Sequence, residues 1–543
     1  MASIAVNMKL IALLASVAAA QAQTSPIRPS HDSAKANANY IFNAIHSAGR
    51  QWGSSLNHNG FGFIPVVVPA GTLLYHGGYF EDPPDRFEWL AFEVEHAENF
   101  VRVPNRGRVG GPCGDEQPRP PSSDQKFLDQ PETGPGDCEE GRVRGYLQTY
   151  QTTRDVRLLY LDGTSAGKSP IGTLDSQDEV LCHSNDSHWG EFGGEMYRAK
   201  CLCDLVTEWG WDGIMRMEIG FEAIYCNFSS GLHHDSSVRT IILEDRLKPD
   251  SYLIPYLWSR AAAERYDGIG GDRVQMDFSS MISGFFFPIN VSNTDPDRPD
   301  LIRLGAAQRE HLQDIKTYIQ SVVVEPEKFN VNWQAVVDMI VSRFSKRLAA
   351  MASTSVSTDL FIGELEGAIM TYLEAPRLPG DITLAEDDDG KNRTAEAVDR
   401  CASHYLKPAL SSQKNWTLSD SLIHTALGVV LQRICSDLYL IRSILLQASA
   451  DPDAYLIERG VKSIDMDKAT NQSRAIVRDL LEDLAWTTWK KPQLCDVDQI
   501  LLTAMWPFGD SVDHFNPGCV AVQDVTARRR NYWTPHERRP FTF

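Results

Sequence analysis

The chain has 543 residues, 42% hydrophobic and 23% charged, the make-up of an ordinary globular protein with room for several cores. Its net charge of −20, from 52 basic against 72 acidic side chains, excludes general nucleic-acid binding, because a polyanion would be repelled. A small anionic ligand is not excluded, since it answers only to local charge.

At the N-terminus, Lys9 precedes an apolar run over 10–20, and Ala20-Gln-Ala22 is a small-x-small cleavage signal. Residues 1–22 therefore read as a secretory signal peptide, and the mature protein is expected outside the cell. Ten cysteines and six Asn-x-Ser/Thr sequons, at Asn185, Asn227, Asn290, Asn392, Asn415 and Asn471, agree with export as a disulfide-bonded glycoprotein.

Residues 36–50 carry Tyr40, Ile41, Ile45 and His46 at helical spacing, which predicts a helix with one buried stripe. The run 60–68 is aromatic and β-branched and predicts a strand. Residues 72–75 predict a short buried strand delivering His76, Gly77 and Gly78, where the missing Cβ lets a ligand approach the backbone. Residues 88–92 predict a strand carrying Trp89 and Phe92. It runs into a helix from about Val94 that holds Ala97 and Phe100. Over 103–144 Pro, Gly and charge replace periodicity, predicting a long surface loop with Cys113 and Cys138 inside it.

Strands are expected again at 145–153 and 156–161. The stretch Asp162-Gly-Thr-Ser-Ala-Gly-Lys-Ser169 looks like a phosphate-binding loop. Only three residues separate Gly163 from Gly167 where that motif needs four, so it reads as a turn that places Asp162. A helix at 201–209 should stop at Gly210, followed by strands at 213–217 and 222–228 around Gly220.

From about Leu301 the period turns helical. Leu312, Ile315, Ile319, Val322 and Val323 form one stripe, and similar patterns recur at 333–350, 359–373, 417–447 and 473–489. The acidic run at 386–390 reads as a solvated loop between helices. The richest apolar run, 422–446, is interrupted by Arg433, Asp437 and Arg442, so it predicts a buried helix and no membrane span. The expected architecture is an α+β domain over 23–240 and an all-α helical domain over 301–510. A connecting region, 241–300, joins them, and a tail, 511–543, carries a solvated basic tract at Arg528, Arg529 and Arg530.

Glu93, Glu95, His96 and the cluster His233-His234-Asp235 have no recognisable zinc spacing and read as surface polar residues, so no metal is expected. What remains is His76, the Trp89 and Phe92 strand, and Glu222 opening a late strand.

Leu73-Leu-Tyr-His-Gly77, the segment from Trp89 to Phe100 and Phe221-Glu-Ala-Ile-Tyr-Cys226 resemble the three motifs of the ADP-ribosyltransferase-like superfamily. The likeness is to the branch with poly-ADP-ribose polymerases and diphtheria-type toxins. Trp89 stands where that family usually has tyrosine, and Gly210-Trp-Asp-Gly-Ile214 is similar to the approach to its third motif. The whole chain also resembles uncharacterised secreted fungal proteins. The family resemblance covers roughly residues 60–230 and implies split mixed β-sheets with flanking helices. It implies NAD as substrate: His76 on a ribose hydroxyl, Gly77 on the nicotinamide amide, Trp89 stacked on the nicotinamide ring and Phe92 beside it. Glu222 would stabilise the oxocarbenium charge as the glycosidic bond breaks, with Glu218 as its rival. The implied activity is ADP-ribosyl transfer to a protein target, or NAD hydrolysis. The alternative is the same scaffold without activity, acting as a secreted binding protein through its helical domain.

Overall fold

The computed structural model describes residues 26–101, 145–183, 194–240, 253–269, 273–296, 298, 300–375, 392–450, 456–457, 459–460, 463–492, 494–521, 524 and 532–533. The signal peptide, the 103–144 loop with its two cysteines, Asn185, the acidic run at 386–390 and the basic tract at 528–530 lie outside the described residues.

The chain begins with helices α1 (His31–Ala36), α2 (Ala38–Ser47) and α3 (Gln51–Leu56). The single helix expected over 36–50 is thus broken, because Gly49 adopts a positive φ of 69° between α2 and α3. Strands β1 (Asn59–Val68), β2 (Leu73–Gly78) and β3 (Glu88–Ala91) follow, then the short helix α4 (Val94–Glu98). After the loop come β4 (Tyr146–Thr152), β5 (Val156–Gly163), α5 (Glu195–Glu208), β6 (Gly213–Glu218), β7 (Gly220–Tyr225) and β8 (Leu232–Arg239). The connecting region forms α6 (Leu253–Arg265), β9 (Gln275–Met276) and β10 (Ile282–Ser283).

These ten strands make one mixed sheet in the order β10-β1-β5-β6-β7-β3-β2-β4-β8, with β9 also on β1. Two features of it matter for function. The β5–β6 pair is parallel, so the chain must cross over between them, and α5 lies in that connection. The β2–β3 pair touches at one position only, Tyr75 opposite Ala91, so the sheet nearly divides there. The mixed sheet and flanking helices are the expected α+β unit.

The helical half is α7 (Arg309–Val323), α8 (Trp333–Ala352), α9 (Thr358–Ile369), α10 (Arg393–His404), α11 (Lys407–Leu410), α12 (Leu418–Gln447) and α13 (Ile464–Leu484). Its long central helix α12 opens on a capping box in which Thr417 and Asp420 satisfy each other's backbone N–H groups. Asp420 also accepts from Trp333 Nε1 and from Ser279 Oγ of the connecting region, both at 2.8 Å. The two halves share further contacts: Phe42 of α2 stacks on Trp486, and Arg50 forms a bidentate pair with Asp338 at 2.7 and 2.6 Å. Beyond α13 the chain is not helical to its expected limit. Strands β11 (Gln499–Leu502) and β12 (Gly518–Ala521) form a two-stranded sheet around α14 (Ser511–Phe515). Among the described residues no helix is long and apolar enough to cross a membrane.

Among the described residues four disulfides tie the fold: Cys182–Cys201, Cys203–Cys226, Cys401–Cys435 and Cys495–Cys519.

Candidate functional site

The strand register decides which expected site residues can meet. Tyr75, Ala91 and Glu222 are paired across β2, β3 and β7, so their side chains share one face of the sheet, and Trp89 shares it two residues on. His76 is one residue beyond Tyr75 and turns to the opposite face. There its ring meets Phe228 edge-on at 6.0 Å, and its Nδ1 lies 2.8 Å from the Trp89 carbonyl oxygen, across the near-gap in the sheet. Burial holds the His76 imidazole below the ordinary histidine range, with the Trp89 bond opposing it. The register thus puts His76 on the opposite face of the sheet from Trp89 and Glu222.

The other expected contacts also have protein partners. Gly77 serves the approach of α4 rather than of a ligand: a Cβ there would sit 2.1 Å from the Ala97 carbonyl oxygen. Trp89 is 7% exposed and lies edge-on to Phe87. Phe92 is fully buried in the core, and its carbonyl accepts from Arg273.

On the Glu222 face, under the β5–β6 crossover, lies a buried set of charges. Arg216 Nη2 donates to Glu222 Oε1 at 2.6 Å and to Glu195 Oε1 at 2.5 Å, while its Nη1 donates to Gln177 at 2.9 Å. Arg198 bridges Glu195, at 2.7 Å, to Asp178, which it grips bidentately at 2.6 and 2.9 Å. Lys168 Nζ donates to Glu218 Oε2 at 3.1 Å, and Glu218 Oε1 lies 3.3 Å from His96 Nε2. Lys168, Glu195, Arg198, Arg216, Glu218, Glu222 and His96 are all buried.

His96 is thus not the surface residue expected, and neither is Glu93, which is buried between Arg265 and Arg273. Glu95 is half-buried and also pairs with Arg265. In β8, His233 and Asp235 are exposed, and half-buried His234 lies 2.9 Å from Ser237 Oγ.

The cluster sets four carboxylates against three cations. Burial pushes the Glu195 carboxyl up, but Arg216, Lys168 and Arg198 outweigh it and hold it down at about 2. Burial likewise raises Glu218 and is overcome by Lys168 and His96, so its carboxyl sits below the usual range. For Lys168, burial disfavours the ammonium, yet Glu218, Glu222 and Glu195 keep it above the ordinary lysine range. Asp178, Glu195, Glu218 and Glu222 thus face three fixed cations, an arrangement that holds charge in place rather than one that passes protons.

His96, Glu218 and Glu222 also bring three donor atoms within 4.8 Å of one another. A metal could join them only by displacing Lys168 from Glu218 and Arg216 from Glu222, because those cations already fill its place. Two recesses lie elsewhere. One, of about 20 Å³, is bordered by Gln51, Tyr266 and Met505 and is far too small for a dinucleotide. The other, about 620 Å³ and wide open, lies on the helical half between Asp338, Met339, Arg343, Arg347 and Tyr405.

Sequence reasoning missed Lys168, Glu195, Arg198 and Arg216 as members of one site. The available signal was their neighbourhood: Arg216, Glu218 and Glu222 put three charges on one face of two strands that are otherwise apolar.

Residues 30–253 match the family model described as the YPL277C N-terminal domain, a span that contains the whole charged cluster. The chain is similar to two proteins of Saccharomyces cerevisiae. One, "Uncharacterized protein YOR389W", is 24% identical over 87% of this chain and 82% of its own. The other, "Uncharacterized protein YPL277C", is 34% identical over 40% of this chain and 45% of its own. The likeness is therefore to a group of uncharacterised fungal proteins. No solved structure matches.

Proposed function

We propose that the chain is an exported glycoprotein that acts through binding, and that its mixed-sheet half is a scaffold that does not turn over NAD. One observation carries this reading: Glu222 is bonded to Arg216 on one face of the sheet while His76 points to the other. A nucleotide gripped by His76 would have the whole sheet between its ribose and that carboxylate. Charge stabilisation of an oxocarbenium ion needs the carboxylate within contact distance, so this placement speaks against the two residues acting on one glycosidic bond. Four disulfides support passage through an oxidising compartment. The open recess on the helical half, with Met339 and Tyr405 at its wall, supports a protein partner as what is bound.

The test is incubation of the purified, disulfide-intact protein with NAD, following free nicotinamide by chromatography. The expected release equals that of the buffer blank. Release above the blank that disappears in Glu222→Gln would restore the ADP-ribosyltransferase or NAD glycohydrolase reading.

A further inference from the structure

Tyr532 and Trp533 are buried, at 3% and 1% exposure, while residues 525–531 and 534–543 around them lie outside the described residues. Their pocket is built by three separate parts of the chain. His58 comes from the entry to β1, Arg298 and Leu301 from the segment before α7, and Trp506, Phe508 and His514 from the β11–β12 unit. Each polar atom of the pair has a fitted partner. Tyr532 Oη lies 2.5 Å from His58 Nε2 and accepts from Arg298 Nη2 at 3.4 Å. Trp533 Nε1 donates to the Phe508 carbonyl at 2.9 Å. The Tyr532 ring is sandwiched by charge and by stacking. The Arg298 guanidinium stands 5.2 Å from its centre, and the His514 ring stacks at 4.6 Å and 22°.

His58 is itself oriented from behind, its Nδ1 lying 2.7 Å from Asn59 Oδ1, while the Asn59 amide is fixed on the Ile171 and Ile302 carbonyls. His58 is thus held in place by bonds that do not involve Tyr532 or Trp533. Two aromatic side chains in a fitted pocket with matched hydrogen bonds are the way a peptide anchors on a protein surface.

We propose that this pocket is a peptide-binding site for a tyrosine–tryptophan segment, filled in cis by Tyr532–Trp533 and open to a separate peptide once that pair is removed. The inference is independent of the reading of Glu222. Its test uses the full chain carrying Tyr532→Ala and Trp533→Ala, titrated against a fluorescent peptide of residues 531–536 with polarisation as the readout. The variant should bind the peptide saturably, and the unaltered chain at least about a hundred-fold more weakly, because its own tail competes at high effective concentration. Changing the peptide's tyrosine to phenylalanine should weaken binding by about ten-fold, since His58 then loses its partner. A variant with an unchanged far-ultraviolet circular dichroism spectrum that binds no peptide would overturn the proposal. So would equal binding by the unaltered chain, or loss of the folded spectrum in the variant, which would make the pair an ordinary part of the core.

Discussion

Glu222 and Arg216 face each other across the β6–β7 register at 2.6 Å, and neither side chain is more than 2% exposed. Removing the carboxylate would leave a buried guanidinium with less compensating charge, the costly way to break such a pair. Glu222→Ala should therefore destabilise the protein by about 3–5 kcal/mol, read as a lower guanidinium chloride midpoint. Replacing both partners, as Glu222→Leu with Arg216→Met, should cost less than the single change, because no uncompensated charge is then created. A single variant as stable as the parent would mean that the cluster does not hold the sheet face together.

The bond Cys182–Cys201, with Cα atoms 6.1 Å apart, ties the turn that carries Asp178 to the helix that carries Arg198 and Glu195. Converting both cysteines to serine should cost about 3 kcal/mol. The larger consequence is local, since Asp178 would lose the strut that sets it against Arg198. Hydrogen exchange should rise first in residues 176–183, ahead of the β6 and β7 strands, and uniform exchange across the unit would count against this division.

The strands around His76, Trp89 and Glu222 are legible in the sequence because alternation and β-branching mark them. Their faces are not. A step of one residue turns a side chain to the other side of a sheet, and only the pairing of Tyr75 with Ala91 tells that His76 turns away from Glu222. Strand β8 escapes because His233, His234, Asp235, Ser236 and Ser237 leave it with no apolar face to read. Helix α13 starts nine residues before the expected 473, since Asp465, Asp467, Lys468 and Asn471 dilute its apolar stripe. The charged cluster stays hidden for a different reason. Its members are spread from His96 to Glu222, and their residue types ordinarily sit at the surface, so only the β5–β6 crossover reveals that they converge.

Sequon use follows from where each asparagine stands. Asn227 and Asn290 are exposed outside helices and strands, Asn392 is exposed as the N-cap of α10, and Asn415 is exposed beside α12. Asn471 lies inside α13, and the Ser473 hydroxyl its sequon needs is fully buried and donates to the Ala469 carbonyl at 2.8 Å. The Thr417 hydroxyl that the Asn415 sequon needs is likewise engaged, on the Ser279 carbonyl, so protein secreted from a eukaryotic host should carry glycans at Asn227 and Asn290 and none at Asn471. Peptide mapping after enzymatic deglycosylation in heavy-oxygen water reads each site, and a heavy label at Asn471 would contradict this account.

Asp162, next to last in β5, has its carboxylate buried between Gly60 and Gly62, where a Cβ on either glycine would come within 2.6 Å of it. It accepts from the Gly62 N–H at 2.6 Å, but burial dominates and pushes its carboxyl up to about 6 from an ordinary value of 3.8. A folded-state value above the unfolded one means that the folded chain binds the proton more tightly. That contribution is whole below about pH 4 and is lost as pH rises through 6, leaving a charge the site tolerates poorly. The amide introduced by Asp162→Asn would keep an oxygen for the Gly62 N–H and carry no charge. Relative to the parent, this variant should therefore gain stability between pH 4 and pH 7.5 by roughly 3 kcal/mol, two pKa units at 1.36 kcal/mol each. The measurement is the urea midpoint of both proteins at the two pH values. Parallel shifts would show that Asp162 is already ionised in the folded protein at pH 4, and that the two glycines make room for a carboxylate rather than for an acid.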